Sequence, residues 1–142
     1  MVRFVVAAAV LLGAGHALAN GHGSDTPTPP KTQATTAPAR VVMTKDGPRM
    51  VDPRGMTLYY YERDTSGKTS NCEGRCAENW RPLQASSEAK AIGEFTVITR
   101  SDGTKMWAFR YRPLYTSAAD KAPGESNGAA TTMQWHVVRP DD

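Results

Sequence analysis

The chain carries the same short pattern twice, and this repetition constrains its fold more than any other feature. Leu58-Tyr59 is followed by four residues and then Asp64, and Leu114-Tyr115 is followed in the same way by Asp120. Each copy continues to a glycine and then to a tryptophan, which are Gly67 and Trp80 in the first copy and Gly124 and Trp135 in the second. The Leu-Tyr pairs are 56 residues apart. Repetition at a fixed spacing predicts two related units, about 40–84 and 92–140.

Both units are rich in residues that favour strands, so the predicted fold class is mainly β: a small antiparallel β domain made of two related repeats. In Met56–Tyr61, alternation places Met56, Leu58 and Tyr60 on one face and Thr57, Tyr59 and Tyr61 on the other. Asp102-Gly103 lies between the apolar runs 95–99 and 105–109 and predicts a hairpin. Gly47-Pro48 predicts a turn between two shorter runs.

Helical composition is confined to two short segments, Glu73–Trp80 and Ser86–Ala91, so we expect only short helical pieces beside the strands. Within each repeat the tyrosine is predicted to enter the core. The aspartate is predicted to accept backbone hydrogen bonds in the turn that follows. An acid/base role for Asp64 and Asp120 is not favoured, because neither has a histidine or a nucleophile beside it in the sequence. No catalytic residue is therefore predicted, and the chain is expected not to be an enzyme.

The N-terminus predicts export. Residues 1–19 combine Arg3, the apolar run Phe4–Leu12 and a small-residue ending at Ala17-Leu18-Ala19, as signal peptides do. No cysteine lies near this cleavage site, so the mature chain is expected to be periplasmic or secreted, without a lipid anchor or a transmembrane segment. Residues 20–39 are rich in Pro, Thr and Ala and predict a disordered linker. The folded domain is expected over 40–142.

Cys72 and Cys76 are the two cysteines of the chain. In an exported protein an even pair predicts a disulfide, and Gly74 between them allows a sharp turn. The alternative is a periplasmic metal-binding or thiol-redox accessory protein that uses the two sulfurs, with His136 or a methionine completing a metal site. Because the spacing matches no standard metal motif, neither a metal site nor a cofactor is predicted.

Two further binding classes are not favoured by the sequence. The net charge is +3 and the basic residues form no run, so nucleic-acid binding is not predicted. Asp120, Glu125 and Asn127 offer oxygen ligands between glycines, but they lack the pattern of an EF-hand loop and predict a surface loop.

The motifs of both units resemble the "secreted repeat of unknown function" family. The residues that carry the resemblance are Gly55–Tyr59 with Asp64, Asn71–Ala77 with Trp80–Leu83, Thr99–Lys105 with Trp107, Arg112–Tyr115 with Asp120, and Trp135–Val138. This family comprises exported bacterial proteins, often lipoproteins, with tandem Tyr-x4-Asp repeats. The resemblance implies a location and an architecture but no activity. Tyr111 stands where the family is expected to have a turn glycine.

The aromatic residues are the remaining candidates for function. Most rings are expected in the core, because small β domains depend on large side chains for buried area. Those that stay exposed would suit a surface for a glycan, a peptide or a partner protein. The residues predicted for this surface are Trp107, Tyr111, Arg112 and Trp135. The sequence thus predicts an exported binding or interaction module whose partner is an unknown envelope protein or a small ligand.

Overall fold

The computed structural model describes residues 36–142. The predicted signal peptide and the predicted linker up to residue 35 lie outside the described residues. Pro38 and Ala39, the last described positions of that predicted linker, are buried, and Ala39 contributes to a hydrophobic cluster. Packing therefore begins just before the first strand.

The described part is built from short strands with one five-residue helix. The strands are β1 (Arg40–Thr44), β2 (Gly47–Val51), β3 (Tyr59–Tyr61), β4 (Trp80–Pro82), β5 (Gln84–Ala85), β6 (Phe95–Thr99), β7 (Lys105–Phe109), β8 (Arg112–Pro113), β9 (Tyr115–Ser117) and β10 (Trp135–Val137). The helix α1 spans Arg75–Asn79, and a 3-10 turn spans Asn127–Ala130. The predicted mainly β class with short helical segments is confirmed.

All strand pairs are antiparallel, and the two repeats exchange strands. β1 pairs with β2, and β7 pairs with β6, β5 and β8. The remaining sheet has the order β10-β3-β9-β4. In this sheet the last strand of the second repeat, β10, pairs with β3 of the first, and β4 of the first pairs with β9 of the second. Neither repeat therefore completes its sheets without the other.

The shared sheet has a local two-fold symmetry that follows from the repetition in the sequence. Its two central strands meet at Tyr59 and Tyr115, which are equivalent residues of the two repeats and lie opposite each other. On either side, Trp135 lies opposite Tyr61 and Trp80 lies opposite Ser117, which are again equivalent positions. Antiparallel pairing places such equivalent residues on the same face of the sheet.

Alternation along the first Leu-Tyr strand distributes its side chains between two hydrophobic clusters, as the sequence predicts. Leu58 and Tyr60 pack with one cluster, together with Phe95, Trp107 and Leu114. On the opposite face, Tyr59 and Tyr61 pack with the second cluster, whose other members include Trp80, Met106, Tyr115 and Trp135. Both faces of this strand therefore contact hydrophobic clusters, with Tyr60 and Tyr61 only partly buried.

Several local predictions are confirmed and others are wrong. The hairpin around Asp102-Gly103 forms with Phe95–Thr99 and Lys105–Phe109 as its strands, and α1 lies inside the predicted helical segment 73–80. The second helical prediction, 86–91, is wrong: Ala89 N donates to Ser86 O in a turn. The first hairpin turns at Lys45-Asp46, so Gly47-Pro48 already belongs to β2.

Candidate functional site

Each repeat tyrosine holds the aspartate of the other repeat. The Tyr59 hydroxyl donates to Asp120 Oδ2 at 2.8 Å, and the Tyr115 hydroxyl donates to Asp64 Oδ2 at 2.6 Å. The other oxygen of each carboxylate accepts a backbone amide from the following turn, Asn71 N for Asp64 and Asn127 N for Asp120, both at 2.7 Å. Each aspartate thus accepts one hydrogen bond from the turn of its own repeat and one from the tyrosine of the other repeat.

Burial shifts the pKa values of the two tyrosines and of Asp64. Burial raises the pKa of both tyrosines well above the usual phenol value, and the accepting carboxylates add to the shift. Burial also raises the pKa of Asp64, against the hydrogen bonds from Tyr115 and Asn71 that lower it. The tyrosines therefore stay neutral donors at neutral pH, which suits a structural role better than proton transfer.

The first of these pairs extends into a buried polar network. Ser70 Oγ lies 2.7 Å from the Tyr115 hydroxyl and accepts a hydrogen bond from Arg100 Nη1 at 2.8 Å. Arg100 is 8% exposed, and its Nη2 donates to Cys72 O at 2.8 Å. Arg100 belongs to the second repeat, so its guanidinium fixes the loop of the first repeat in which the cysteines lie.

Cys72 and Cys76 form the predicted disulfide. Cys72 is fully buried in the second hydrophobic cluster, and Cys76 packs against it with partial exposure. The bridge closes the loop immediately before Trp80, and so helps to place that ring. Both sulfurs are bonded to each other and are not arranged as metal ligands in this structure.

The two repeat tryptophans meet on one face of the shared sheet. Trp80 and Trp135 stack with their ring centroids 3.9 Å apart and their planes 4° from parallel. Tyr61 stacks on Trp135 at 4.5 Å, and Tyr59 meets Trp80 edge-on at 5.2 Å. This face is filled by its own rings, so it forms core rather than a binding surface.

A surface depression, which we call the aromatic depression, lies at the β10 edge of the same sheet. It has a volume of about 380 Å³ and is lined by Tyr60, Ala129, Thr132, Met133, Trp135, His136, Val137, Arg139 and Asp142. The rings of Tyr60 and His136 lie 5.1 Å apart, and the Arg112 guanidinium lies 4.2 Å from the Tyr60 centroid. Met133 is 91% exposed beside them.

Charged groups surround these rings. Arg112 Nη1 lies 3.4 Å from Asp142 Oδ1, and His136 Nε2 lies 3.3 Å from Glu62 Oε2. Both pairs are partly exposed, so they contribute little to stability and remain open to rearrangement by a ligand. The depression thus combines a π-face, an exposed thioether and polar groups, which are features of interaction surfaces.

The structure does not bring the four predicted surface residues to one face. Trp107 and Trp135 are 9% and 5% exposed, because the strands that carry them are covered on the side to which the rings point. Tyr111 is 72% exposed but does not line the aromatic depression. Arg112 contributes through its contact with Tyr60, and Trp135 contributes part of the depression's wall.

Sequence reasoning missed Tyr60, His136 and Met133 as members of a surface. A signal for two of them was present: Tyr60 directly follows the buried repeat tyrosine, and His136 directly follows the buried repeat tryptophan. In a strand, the neighbour of a buried residue points to the opposite face. Met133 lies in a loop for which the sequence has no periodic signal.

The residues considered as metal ligands do not converge in the described chain. Across residues 36–142, no group of three or more His, Cys, Asp and Glu side chains is placed to hold a metal ion. In the loop considered for calcium, Asp120 and Glu125 instead accept hydrogen bonds from Asn127 N and Lys121 N. Within the same residues, no helix has the length and apolarity that a membrane span requires.

Two units with exchanged strands, paired tyrosines and stacked tryptophans define the class of this protein as a tandem-repeat β domain. The pattern of the family described as secreted repeat of unknown function matches residues 40–84 and 96–139. The chain therefore belongs to that family, as its motifs predict, and it is an exported protein by that membership. No curated protein and no solved structure matches it.

Proposed function

We propose that this protein is a non-enzymatic binding module of the cell envelope, which binds a partner protein or a small ligand at the aromatic depression. The observation that carries the proposal is the contrast between the interior of the shared sheet and its β10 edge. The stacked Trp80 and Trp135 rings close the interior, whereas the β10 edge leaves the Tyr60 and His136 rings beside a depression with Met133 exposed. Exposed aromatic and thioether groups of this kind favour recognition.

The buried polar groups support binding rather than catalysis. Asp64 and Asp120 each accept a tyrosine hydroxyl and a backbone amide, so their four oxygens are engaged in maintaining the fold. A general acid or base needs a free position within reach of a substrate. The alternative of a thiol-redox or metal accessory protein is not favoured, because Cys72 is buried and bonded to Cys76.

Site-specific photo-crosslinking tests the binding proposal. A photoreactive amino acid replaces Met133 in the exporting cell, and adducts are identified by mass spectrometry after irradiation. We expect one discrete adduct that is lost in His136→Ala. The matched control is the same replacement at Met43, which is 77% exposed but does not line the aromatic depression. An identical adduct from position 43, or no adduct from position 133, contradicts the proposal.

The route of export is also proposed from the sequence. Residues 1–19 act as a signal peptide, so the mature chain starts at Asn20 and works in the periplasm or outside the cell. The mass of the protein recovered from the periplasm tests this. A mass that includes residues 1–19, in protein recovered from the cytosol, contradicts it.

A further inference from the structure

A second depression lies at the other end of the shared sheet, and we call it the basic depression. It has a volume of about 370 Å³. Three cationic side chains border it: Arg54 from the turn after β2, Arg81 from β4, and Lys121 from the loop after β9. Since these residues are far apart in sequence, their convergence is a product of the fold and not of a local basic run.

The donors of these cations are only partly used. Arg54 donates through Nε and Nη2 to Asp52 Oδ2, which leaves its Nη1 group. Lys121 Nζ donates to Ala118 O at 2.6 Å, and an ammonium carries three donors. Arg81 is exposed and makes no ion pair or hydrogen bond through its side chain within residues 36–142. Its five donors are available to a ligand.

The carboxylates around the basic depression are turned towards the chain. Asp52 accepts Arg54 N and Met56 N as well as the Arg54 side chain. Asp120 accepts the Tyr59 hydroxyl and Asn127 N, and Glu125 Oε2 accepts Lys121 N and Asn127 Nδ2. The negative groups are thus engaged in loop hydrogen bonds, while the cations border the open side.

Two hydroxyl residues also line the depression, together with Met56, Ala118, Asp120 and Pro123. Thr116 lies opposite Arg81 in the sheet, and Ser117 follows it, with its Oγ accepting Ala119 N. The Thr116 side chain shares the Arg81 face of the sheet, and its hydroxyl can donate to an acceptor in the depression, whereas the Ser117 side chain lies against Gly128 on the other face. Guanidinium, ammonium and hydroxyl donors on one concave surface match the acceptor oxygens of a tetrahedral oxyanion.

We infer that the basic depression is a binding site for a phosphate group, either of a soluble phosphate compound or of a phospholipid headgroup. Arg81 binds it in a bidentate manner, and Arg54 and Lys121 add charge. The site is distinct from the aromatic depression, so it does not depend on the proposed function. It occupies the equivalent position of the other repeat: Arg81 pairs with Thr116 as His136 pairs with Tyr60. Divergence of the two repeats has made one end aromatic and the other basic.

Titration of the exported protein with inorganic phosphate, followed by amide chemical shifts at constant ionic strength, tests the inference. We expect saturable shifts at Arg81, Thr116 and Lys121. Arg81→Gln should weaken binding by about tenfold, since hydrogen bonds to charged groups are the stronger class. Arg75→Gln is the matched control, because Arg75 is an exposed arginine that does not border the depression. It should bind as the unchanged protein does.

Cosedimentation with vesicles of anionic and of zwitterionic phospholipid distinguishes the two sources. Binding to either vesicle that Arg81→Gln abolishes and Arg75→Gln preserves assigns the site to a headgroup. Saturation by inorganic phosphate without vesicle binding assigns it to a soluble compound. Equal losses in the two variants, or no saturable shift with phosphate and no vesicle binding, overturn the inference.

Discussion

Tyr59 and Tyr115 each place one hydroxyl group beside the motif aspartate of the other repeat. Asp64 and Asp120 each need hydrogen-bond donors at both carboxylate oxygens, because a buried carboxylate without donors is costly. In each repeat one partner is the amide seven residues further along the chain, and the other comes from the opposite repeat. The Tyr-x4-Asp motif therefore joins two repeats, although its six-residue span resembles a local turn motif.

Replacing Tyr115 with phenylalanine should destabilise the protein by about 1–3 kcal/mol, because Asp64 and Ser70 lose a buried partner. The free energy of unfolding in urea measures the effect. Tyr61→Phe is the control: its hydroxyl makes one long contact, 3.5 Å to Gln134 Oε1, in a half-buried position. We expect that variant to remain within about 0.5 kcal/mol of the unchanged protein. Equal effects of the two substitutions would contradict the assigned role.

The raised pKa of Asp64 predicts how the free energy of unfolding changes with pH. Since burial raises its pKa in the folded protein above 3.8, the folded state binds a proton more readily than the unfolded state does. The free energy of unfolding should therefore fall, relative to Asp64→Asn, as the pH rises from 3.8 through the folded pKa. Urea unfolding of both proteins in closely spaced buffers from that pH upward measures the difference. A relative gain in stability over the same range would mean that the hydrogen bonds to Asp64 outweigh its burial.

At the scale of elements, the hairpin from Phe95 to Phe109 and the presence of two tandem repeats could be predicted because their signals can be read directly from the sequence. Asp102-Gly103 lies between two β-rich runs, and the Leu-Tyr pairs recur at one spacing. The pairing of β4 and β10 with strands of the other repeat could not be predicted. The same sequence is compatible with each strand pairing inside its own repeat. Only the connection between the repeats and the packing of the whole decide between them.

The turn before β8 contains Tyr111 where the first repeat has a glycine, and Gly67 of the first repeat leaves room for it. Tyr111 has φ +66° in the left-handed region, where its equivalent in the first repeat is Gly55 at φ +86°. Opposite Tyr111 lies Gly67, whereas Gly55 lies opposite Pro123. A tyrosine is accommodated at position 111 because the facing position has no side chain. The left-handed conformation at this position is thus kept without a glycine, although Arg110 is also left-handed at φ +44° and its equivalent Arg54 is not.

Gly67→Ala should therefore be strongly destabilising. An added Cβ would lie 2.5 Å from both Cβ and the carbonyl oxygen of Tyr111, and the φ of +64° disfavours any side chain. We expect a loss of about 3 kcal/mol from overpacking and backbone strain together. Gly93→Ala separates the two causes, because Gly93 has φ +56° but no atom within 4 Å of the added Cβ. Thermal unfolding should show that Gly93→Ala lowers the free energy of unfolding by about 1 kcal/mol and that Gly67→Ala lowers it more.

At the scale of the whole molecule, the proposed binding surface lies at a position that sequence reasoning did not predict. Trp107 and Trp135 are large rings in strands, and the sequence does not reveal that the side of each strand to which the ring points is covered. The two depressions arise only when β4 and β10 are placed at opposite edges of the shared sheet. Their contrasting chemistry then follows from single neighbours, Arg81 beside Trp80 and His136 beside Trp135.

The exchanged strands predict that the two repeats fold as one cooperative unit. A protease site inserted between the exposed residues Lys90 and Ala91 allows the chain to be cut between the repeats without removing a strand. The cut protein is a complex of two fragments, which are held by the Tyr59–Asp120 and Tyr115–Asp64 bonds, the Trp80–Trp135 stack and the shared sheet. Its unfolding should become dependent on concentration, whereas that of the uncut protein should not.

Each tenfold dilution of the cut protein should lower the free energy of dissociation and unfolding by about 1.4 kcal/mol, as for any two-chain complex. Thermal unfolding at several concentrations, followed by the near-ultraviolet signal of the stacked tryptophans, measures this. Fragments separated in denaturant should each lack a cooperative transition and should recover it when mixed. If one fragment alone unfolds cooperatively, its repeat closes on itself, and the pairing of β4 with β9 and of β10 with β3 is not what stabilises the fold.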